Sequence, residues 1–136
     1  MKKKILHIGL LIGYLIGLAW LCFGKFDSID TSIPLTFLGI PTDKIVHFLM
    51  FFPFPLLCWL VFRGISRKPW HSVAMVLLIF VAGCLIAAGT ELGQGYTTYR
   101  TADGNDFFAD SLSLALASVV ALILDVKYSL KTASQK

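Results

Sequence analysis

Four long apolar stretches account for most of this chain. A bilayer core about 30 Å thick is crossed by about 20 apolar residues in a helix. The stretches that meet this requirement are residues 5–23, 45–62, 72–92 and 107–126. Of the 136 residues, 57% are hydrophobic and only 15% are charged, which excludes an ordinary soluble domain. The sequence therefore predicts an all-α, polytopic integral membrane protein in which residues 1–136 form a single domain with four transmembrane helices.

Basic residues are concentrated on one side of these spans. That side carries Lys2, Lys3, Lys4, Arg63, Arg67, Lys68, Lys127, Lys131 and Lys136, and the other carries Lys25, Lys44 and Arg100. Because basic loops stay in the cytoplasm, this asymmetry predicts that both termini are cytoplasmic. The formal net charge of +4 then follows from membrane topology. It is not a reason to expect nucleic-acid binding.

Small residues in the first span predict a close helix contact. Gly9, Gly13 and Gly17 recur at every fourth position, so that one stripe of the helix lacks side chains. Another helix can approach such a stripe closely. A packing seam within the bundle and a homodimer face both fit this pattern.

Two features interrupt the regular pattern of spans. Pro53 and Pro55 lie within the second span, where each removes a backbone hydrogen bond and predicts a kink or local unwinding. The bend is either fixed or a hinge with exposed carbonyls. Residues 24–42 are too short and too broken to span, and we expect them to lie along the outer interface as one short helix or turn.

Cys22, Cys58 and Cys84 lie in or at the ends of spans, without paired spacing. Structural disulfides and a zinc site are therefore not expected, and we interpret the three cysteines as small apolar fillers.

Ionisable and polar residues cluster at span ends on the predicted outer face. A charged side chain at a helix centre in a membrane costs roughly 2.5 to 3.5 kcal/mol, so such residues need a reason to be there. This set marks the predicted functional site. Its members are Asp43, Lys44, His47, Glu91, Gln94, Arg100, Asp103, Asp106 and Asp110.

The spacing within this set predicts that its members converge. Asp103, Asp106 and Asp110 fall at positions i, i+3 and i+7, which is one face of a helix. The polar residues that open the second span are four apart, and those that close the third are three apart, so each pair also shares a face. We expect the three groups to point at a common centre.

Helix capping is a structural alternative for part of this set. Asp103 and Asp106 fit an N-cap followed by an acidic N3 position, which the helix dipole favours. Asp110 lies a turn deeper, where capping does not explain it, and it needs a basic partner. The candidates are Arg100, Lys44 and His47.

The order of these motifs resembles the VanZ-like family of small bacterial membrane proteins. The chain reads Asp43-Lys44-x-x-His47-Phe48, then Glu91-x-x-Gln94, then Arg100 followed by Asp103 and Asp106. The resemblance covers residues 42–121. The family usually has an asparagine at the position of Asp110, so an amide there is replaced by a carboxylate.

The resemblance implies a multi-pass protein of the bacterial cytoplasmic (inner) membrane that acts in the cell envelope. The founding member of the family lowers susceptibility to teicoplanin, a lipoglycopeptide that binds cell-wall precursor ends outside the membrane. The partners implied are membrane lipids and, beyond them, a lipid-linked cell-wall precursor or the lipoglycopeptide itself.

Two hypotheses about the site follow. In the first, Arg100 and Lys44 meet the phosphate of an envelope lipid, and the carboxylates orient its hydroxyls or amines. In the second, the protein is an enzyme in which Glu91 or Asp106 acts as general base and His47 as acid. A version of this second hypothesis adds a divalent cation held by Asp43, Asp106 and Asp110, but no ligand spacing selects a metal, so none is predicted.

A third interpretation is a proton-coupled transporter, because an intramembrane carboxylate such as Glu91 can carry a proton. A chain of this length needs a dimer to enclose a pathway. The sequence leaves the choice between enzyme and binding protein open, and it predicts no particular cofactor.

Overall fold

The computed structural model describes residues 2–24, 36–37, 39–65, 68–98 and 102–134. Within these ranges the chain forms helices and one short hairpin. In chain order the elements are α1 (Lys2–Phe23), β1 (Thr36–Phe37), β2 (Ile40–Pro41), α2 (Thr42–Phe51), α3 (Pro53–Phe62), α4 (Pro69–Gly95) and α5 (Gly104–Ala133).

Four helical segments are long and apolar enough to cross a membrane, with α2 and α3 together making the second. The predicted all-α, four-span architecture is confirmed. The helices extend beyond the apolar stretches, since α4 begins at Pro69 and α5 continues to Ala133. The cytoplasmic placement of both termini stays a prediction.

Helix α5 is the centre of the bundle, because it contacts α2, α3 and α4. Its inward face is built from small side chains, with Ser113, Ala117, Ser118 and Ala121 all buried. Lipid tails are as apolar as leucine, so helices in a membrane associate through close packing and not through hydrophobic exclusion. Small residues on α5 allow that packing on several sides at once.

The glycines that pack closely are not the ones that the sequence pattern singled out. Among the described residues, no neighbouring atom lies within 4 Å of a Cβ built at Gly9, Gly13 or Gly17. The prediction of a seam within the bundle is therefore wrong, because α1 packs through a different face, which includes the buried Leu18. A homodimer through the glycine stripe stays a prediction. A Cβ at Gly83 would instead lie 2.6 Å from Leu114 Cδ2.

The predicted interruption of the second span is present at Phe52, between the end of α2 and Pro53 at the start of α3. Carbonyl groups just before this break receive hydrogen bonds from other helices. The Tyr14 hydroxyl donates to the Met50 carbonyl at 2.7 Å, and the Ser113 hydroxyl donates to the Phe48 carbonyl at 2.5 Å. These bonds attach the end of α2 to α1 and α5, and the choice between a fixed bend and a hinge stays a prediction.

The connection between α1 and α2 contains an antiparallel hairpin, where we expected a short helix or turn. Phe37 pairs with Ile40, and Gly39 makes the turn with a φ of 79°. Positive φ is accessible to glycine at little cost, which is why the chain can reverse here. Residues 25–35 and 38 of this connection lie outside the described residues.

Cys22, Cys58 and Cys84 form no disulfide in the described part of the chain, and Cys22 and Cys58 are buried in the apolar core. A buried carboxylate that the sequence analysis left without a role lies near the C-terminal end of α5. Asp125 is fully buried and accepts a hydrogen bond from the Trp59 indole at 3.1 Å. This bond links α3 to α5 far from the acidic residues at the start of α5.

We predict that Leu114→Ala destabilises the bundle more than Leu116→Ala does. Leu114 is fully buried, whereas Leu116 is 49% exposed on the same helix. In soluble proteins a buried Leu→Ala change costs about 2–5 kcal/mol. We expect about 1–3 kcal/mol here, because the transfer of leucine from lipid contributes little and the cavity accounts for the loss. Reversible unfolding in mixed micelles measures both values, and equal losses would show that α5 packs through another face.

Candidate functional site

The candidate site lies at the end of the bundle where α2 and α5 begin and α4 finishes. Each of these helices contributes ionisable side chains to it. The members that the structure describes in mutual contact are Asp43, Lys44, His47, Glu91, Asp103, Asp106 and Asp110, which we call the acidic cluster. The predicted convergence of the three groups is therefore present, although what the cluster binds or does stays a prediction.

Lys44 joins α2 to the start of α5. Its ammonium donates to Asp103 Oδ2 at 2.6 Å, to Asp43 Oδ2 at 3.0 Å and, in a very short contact, to Asp106 Oδ1. The Lys44 side chain is only 17% exposed, so these contacts are partly shielded from water. The ammonium is fully engaged by carboxylates, which leaves it poorly placed to meet a phosphate.

His47 lies one turn below Lys44 and is surrounded by carboxylates. Its Nδ1 is 3.2 Å from Asp110 Oδ1, and its Nε2 is 3.6 Å from Asp106 Oδ2. Nδ1 is also 3.8 Å from Glu91 Oε1. Of the three partners considered for Asp110, the structure places His47 against it. Asp110 is fully buried, and the contact with His47 offsets the free-energy cost of removing its carboxyl group from water.

Glu91 reaches the cluster from the C-terminal part of α4. Its Oε2 accepts a hydrogen bond from the backbone N–H of Asp103 at 3.1 Å. Its Oε1 is buried and has no hydrogen-bond partner in the part of the chain that the structure describes. The Glu91 residue as a whole is only 6% exposed. Burying an oxygen without a hydrogen-bond partner costs free energy. Among the described residues, the interior of the cluster therefore lacks a donor or a cation for this atom.

Negative groups outnumber positive ones in the acidic cluster. Among the described residues, five carboxylates surround one lysine and one histidine, so at most two positive charges of this set face them. Buried ionised carboxylates are stable only when paired, coordinated to a metal or neutralised by a proton. The cluster therefore favours an additional cation, a proton or a hydrogen-bond donor over an anion.

The predicted arrangement of an N-cap followed by an acidic N3 position is present at the start of α5. Asp103 is the N-cap of α5, and its side chain accepts from the backbone N–H of Asn105 at 2.9 Å. The Lys44 ammonium, together with that N–H, holds the pKa of Asp103 below its usual range. Asp106 lies in the first turn, and its carboxylate also contacts Lys44 and His47, so it belongs to the cluster as well.

Three further predicted site residues have different positions. Gln94 donates to the backbone carbonyl of Cys22 at 3.0 Å, so it links α4 to α1 rather than reaching the common centre. Asp43 lies at the rim, with its side chain 57% exposed. Arg100 lies outside the described residues.

Two sets of side chains bring ligand atoms within 4.8 Å of one another, a separation that one metal ion could bridge. They are His47, Glu91 and Asp106, and Asp43, Asp103 and Asp106. The set considered from the sequence, Asp43 with Asp106 and Asp110, is not among those found in the described part of the chain. Asp110 lies a helical turn deeper than Asp106, whereas Asp43 lies at the rim.

An apolar groove runs beside the acidic cluster, between α2 and α5. Its volume is about 650 Å³. Lys44 belongs both to the groove wall and to the cluster, so the two features are continuous. The lining residues are Ile40, Pro41, Lys44, Ile45, Phe48, Leu49, Asn105, Phe108, Ala109 and Leu112.

Sequence reasoning did not find this groove. Its walls come from the β2 strand, α2 and α5, and their apolar residues look like any other lipid-facing residues in the sequence. The one available signal was Asn105, a polar residue between two aspartates that was not included in the predicted site.

Comparison with protein families then identifies the chain. The family model described as VanZ/LLP1 matches residues 11–125. This protein belongs to the VanZ/LLP1 family. The match covers the acidic cluster, the second and third spans and parts of the first and fourth, which agrees with the resemblance drawn from the motifs alone.

A curated relative of this VanZ/LLP1 protein occurs in Schizosaccharomyces pombe and is described as uncharacterized. It is 37% identical over 86 residues, which make up 63% of this chain and 48% of the relative. The chain thus spans about half the length of the curated relative that it matches. No solved structure matches the chain. Since a similar protein occurs in a yeast, family membership shows a multi-pass membrane protein and does not by itself place it in a bacterial membrane.

We predict that Lys44→Gln destabilises this VanZ/LLP1 protein by about 2–4 kcal/mol. Breaking a buried ion pair by removing one partner costs about 3–5 kcal/mol, and partial exposure of the cluster lowers that figure. The matched control is Lys127→Gln on the exposed part of α5, which should change stability by less than about 0.5 kcal/mol. Unfolding in micelles measures both, and an equal effect of the two variants would contradict the assigned role of Lys44.

Proposed function

We propose that this VanZ/LLP1 protein is an envelope membrane protein that binds a membrane amphiphile at the acidic cluster. The observation that carries this proposal is the groove of about 650 Å³ that adjoins the cluster at Lys44. A polar head fits the cluster while an acyl chain follows the groove. Such a combination of apolar walls and a few convergent polar groups is typical of small-molecule sites.

The charge of the cluster determines which head group is recognised. Five carboxylates face at most two cationic side chains in the described part of the site. Lys44 is already engaged by three of them, which argues against the expectation that it meets a phosphate. We therefore infer a head group that presents amine or hydroxyl donors to the carboxylates.

The groove contributes more to selectivity for the shape of the amphiphile than to the affinity with which the amphiphile binds. An acyl chain that leaves the bilayer for the groove gains little free energy, since both surroundings are apolar. Hydrogen bonds from the head group to partly desolvated carboxylates are the stronger term, at about 1.5–3 kcal/mol each. The groove then fixes where the chain emerges and so which amphiphiles can place their head in the cluster.

An effect on glycopeptides follows from this binding. Teicoplanin carries an acyl chain and acts on cell-wall precursors that are themselves lipid-linked. We propose that the protein changes susceptibility to the drug by holding an envelope amphiphile, either the drug's own lipid tail and amine groups or a lipid-linked precursor. The acidic cluster is the part of the molecule on which this effect depends.

Ala109→Phe should reduce the amount of lipid or lipoglycopeptide bound to the purified full chain several-fold, because the added ring fills the groove. The matched control is Ala19→Phe on the exposed side of α1, which lies outside the groove. Native mass spectrometry from nanodiscs that contain bacterial lipids, with and without teicoplanin, measures the bound species. Unchanged binding in Ala109→Phe would exclude the groove as the site of the acyl chain.

Expression of the wild-type chain in a teicoplanin-sensitive host should raise the inhibitory concentration of the drug. Glu91→Gln, His47→Ala and Asp106→Asn should abolish this protection, because each removes a contact within the cluster. Asp125→Asn, a buried aspartate outside the cluster, is the control, and all variants are compared at equal membrane levels. If the cluster variants still protect, the effect does not depend on the acidic cluster. If the wild type gives no protection, glycopeptides are not part of the function.

A further inference from the structure

We propose that His47, Glu91 and Asp106 bind a divalent transition-metal ion of the Zn²⁺ or Mn²⁺ class. This site goes beyond the binding of an amphiphile and does not depend on it. The proposal rests on the positions of the three ligand atoms, on the partners that hold each side chain, and on the buried Glu91 oxygen that lacks a partner.

The distances between the ligand atoms are compatible with one shared ion. One ligand atom from each of the three side chains lies within 4.8 Å of the others. The separation between His47 Nε2 and Asp106 Oδ2 is shorter, at 3.6 Å. Ligands at about 2.0–2.1 Å from a tetrahedral ion lie about 3.3 Å apart, so His47 and Asp106 need only a small inward movement to share one ion.

Each of the three ligands is held by a second group at its other polar atom. The backbone N–H of Asp103 binds Glu91 Oε2, which leaves Oε1 directed at the centre. Lys44 binds Asp106 Oδ1, which leaves Oδ2 facing the imidazole. These outer contacts fix the orientation of both carboxylates before any ion arrives.

The third ligand is oriented in the same way by a carboxylate. Asp110 Oδ1 lies 3.2 Å from His47 Nδ1 and leaves Nε2 as the nitrogen available to an ion. Metal-binding histidines almost always donate their other ring N–H to such an outer partner, which fixes the tautomer. Asp110 is fully buried, and its carboxylate is placed to accept a hydrogen bond from the imidazole of His47. It is thus a positioning residue and not a ligand.

The unpartnered oxygen points to a missing cation. Glu91 Oε1 is buried and has no hydrogen-bond partner among the described residues. Together with the excess of carboxylates over cationic groups, this atom is stable only if something positive or protic occupies the centre. A divalent ion supplies two positive charges at that point, and a proton supplies one.

The mixed donor set narrows the class of ion. Imidazole nitrogen suits Zn²⁺ and carboxylate oxygen suits Mn²⁺, so a site with both donor types fits these two ions better than Ca²⁺ or Mg²⁺, which are bound by oxygen ligands. Three protein ligands also leave one coordination position open, as in catalytic zinc sites. That position would take a water molecule or a donor atom of a bound amphiphile.

The experiment uses the full chain in nanodiscs, stripped with a chelator and then titrated with Zn²⁺ or Mn²⁺. The amount of bound metal is measured by elemental mass spectrometry, and its affinity by isothermal titration calorimetry. We expect about one ion per chain, and a rise in the unfolding temperature of the wild type on adding it. Glu91→Gln and Asp106→Asn should weaken binding at least tenfold. Asp110→Asn should weaken it about 10–100-fold by releasing the imidazole.

The controls separate a metal site from general attraction to acidic groups. Asp125→Asn removes a buried carboxylate elsewhere on α5 and should keep the affinity of the wild type. Helix content and elution as a single species show that each variant is folded. If Glu91→Gln or Asp106→Asn does not fold, the metal affinity of Asp110→Asn provides the test. A folded wild type that binds neither ion overturns the proposal and leaves protons as the compensating charge. Equal weakening in Asp125→Asn, or none in the cluster variants, overturns it as well.

Discussion

The contact between the Lys44 ammonium and the aspartates at the start of α5 is the interaction on which the acidic end of the bundle depends. It joins α2 to Asp103, the N-cap of α5, and to Asp106 within the first turn. Without this cation, the carboxylates would repel one another in surroundings that exclude water. With it, α5 begins at a fixed place and its lower carboxylates meet His47.

Packing among the helices is subject to a second constraint, because the hydrophobic effect does not drive helices together inside a bilayer. The bundle meets it with small residues on α5 and with side-chain hydrogen bonds between helices. Tyr14 and Ser113 bind carbonyls beside the proline-induced break, and Trp59 binds the buried Asp125. These bonds attach α2 and α3 to the neighbouring helices, and α2 carries the Lys44 and His47 side chains that contact the aspartates of α5.

The acidic cluster and the adjoining groove together account for the kind of ligand that we propose. The cluster offers acceptors and an excess of negative charge, while the groove offers an apolar channel between α2 and α5. Membership of the VanZ/LLP1 family agrees with an envelope role, and an uncharacterized relative occurs in a yeast. A metal ion at His47 would add a Lewis acid beside the head of any bound amphiphile.

The sequence by itself determined the four spans, the break near Pro53 and the convergence of the acidic residues. Span length and helical periodicity are local properties, and they can be read from neighbouring residues. The tertiary structure decided which partner each polar group takes: His47 for Asp110, Lys44 for Asp106 and the Cys22 carbonyl for Gln94. It also left the glycine stripe of α1 without a neighbour among the described residues and formed the groove. These features depend on how helices distant in sequence rotate and cross, which periodicity does not specify.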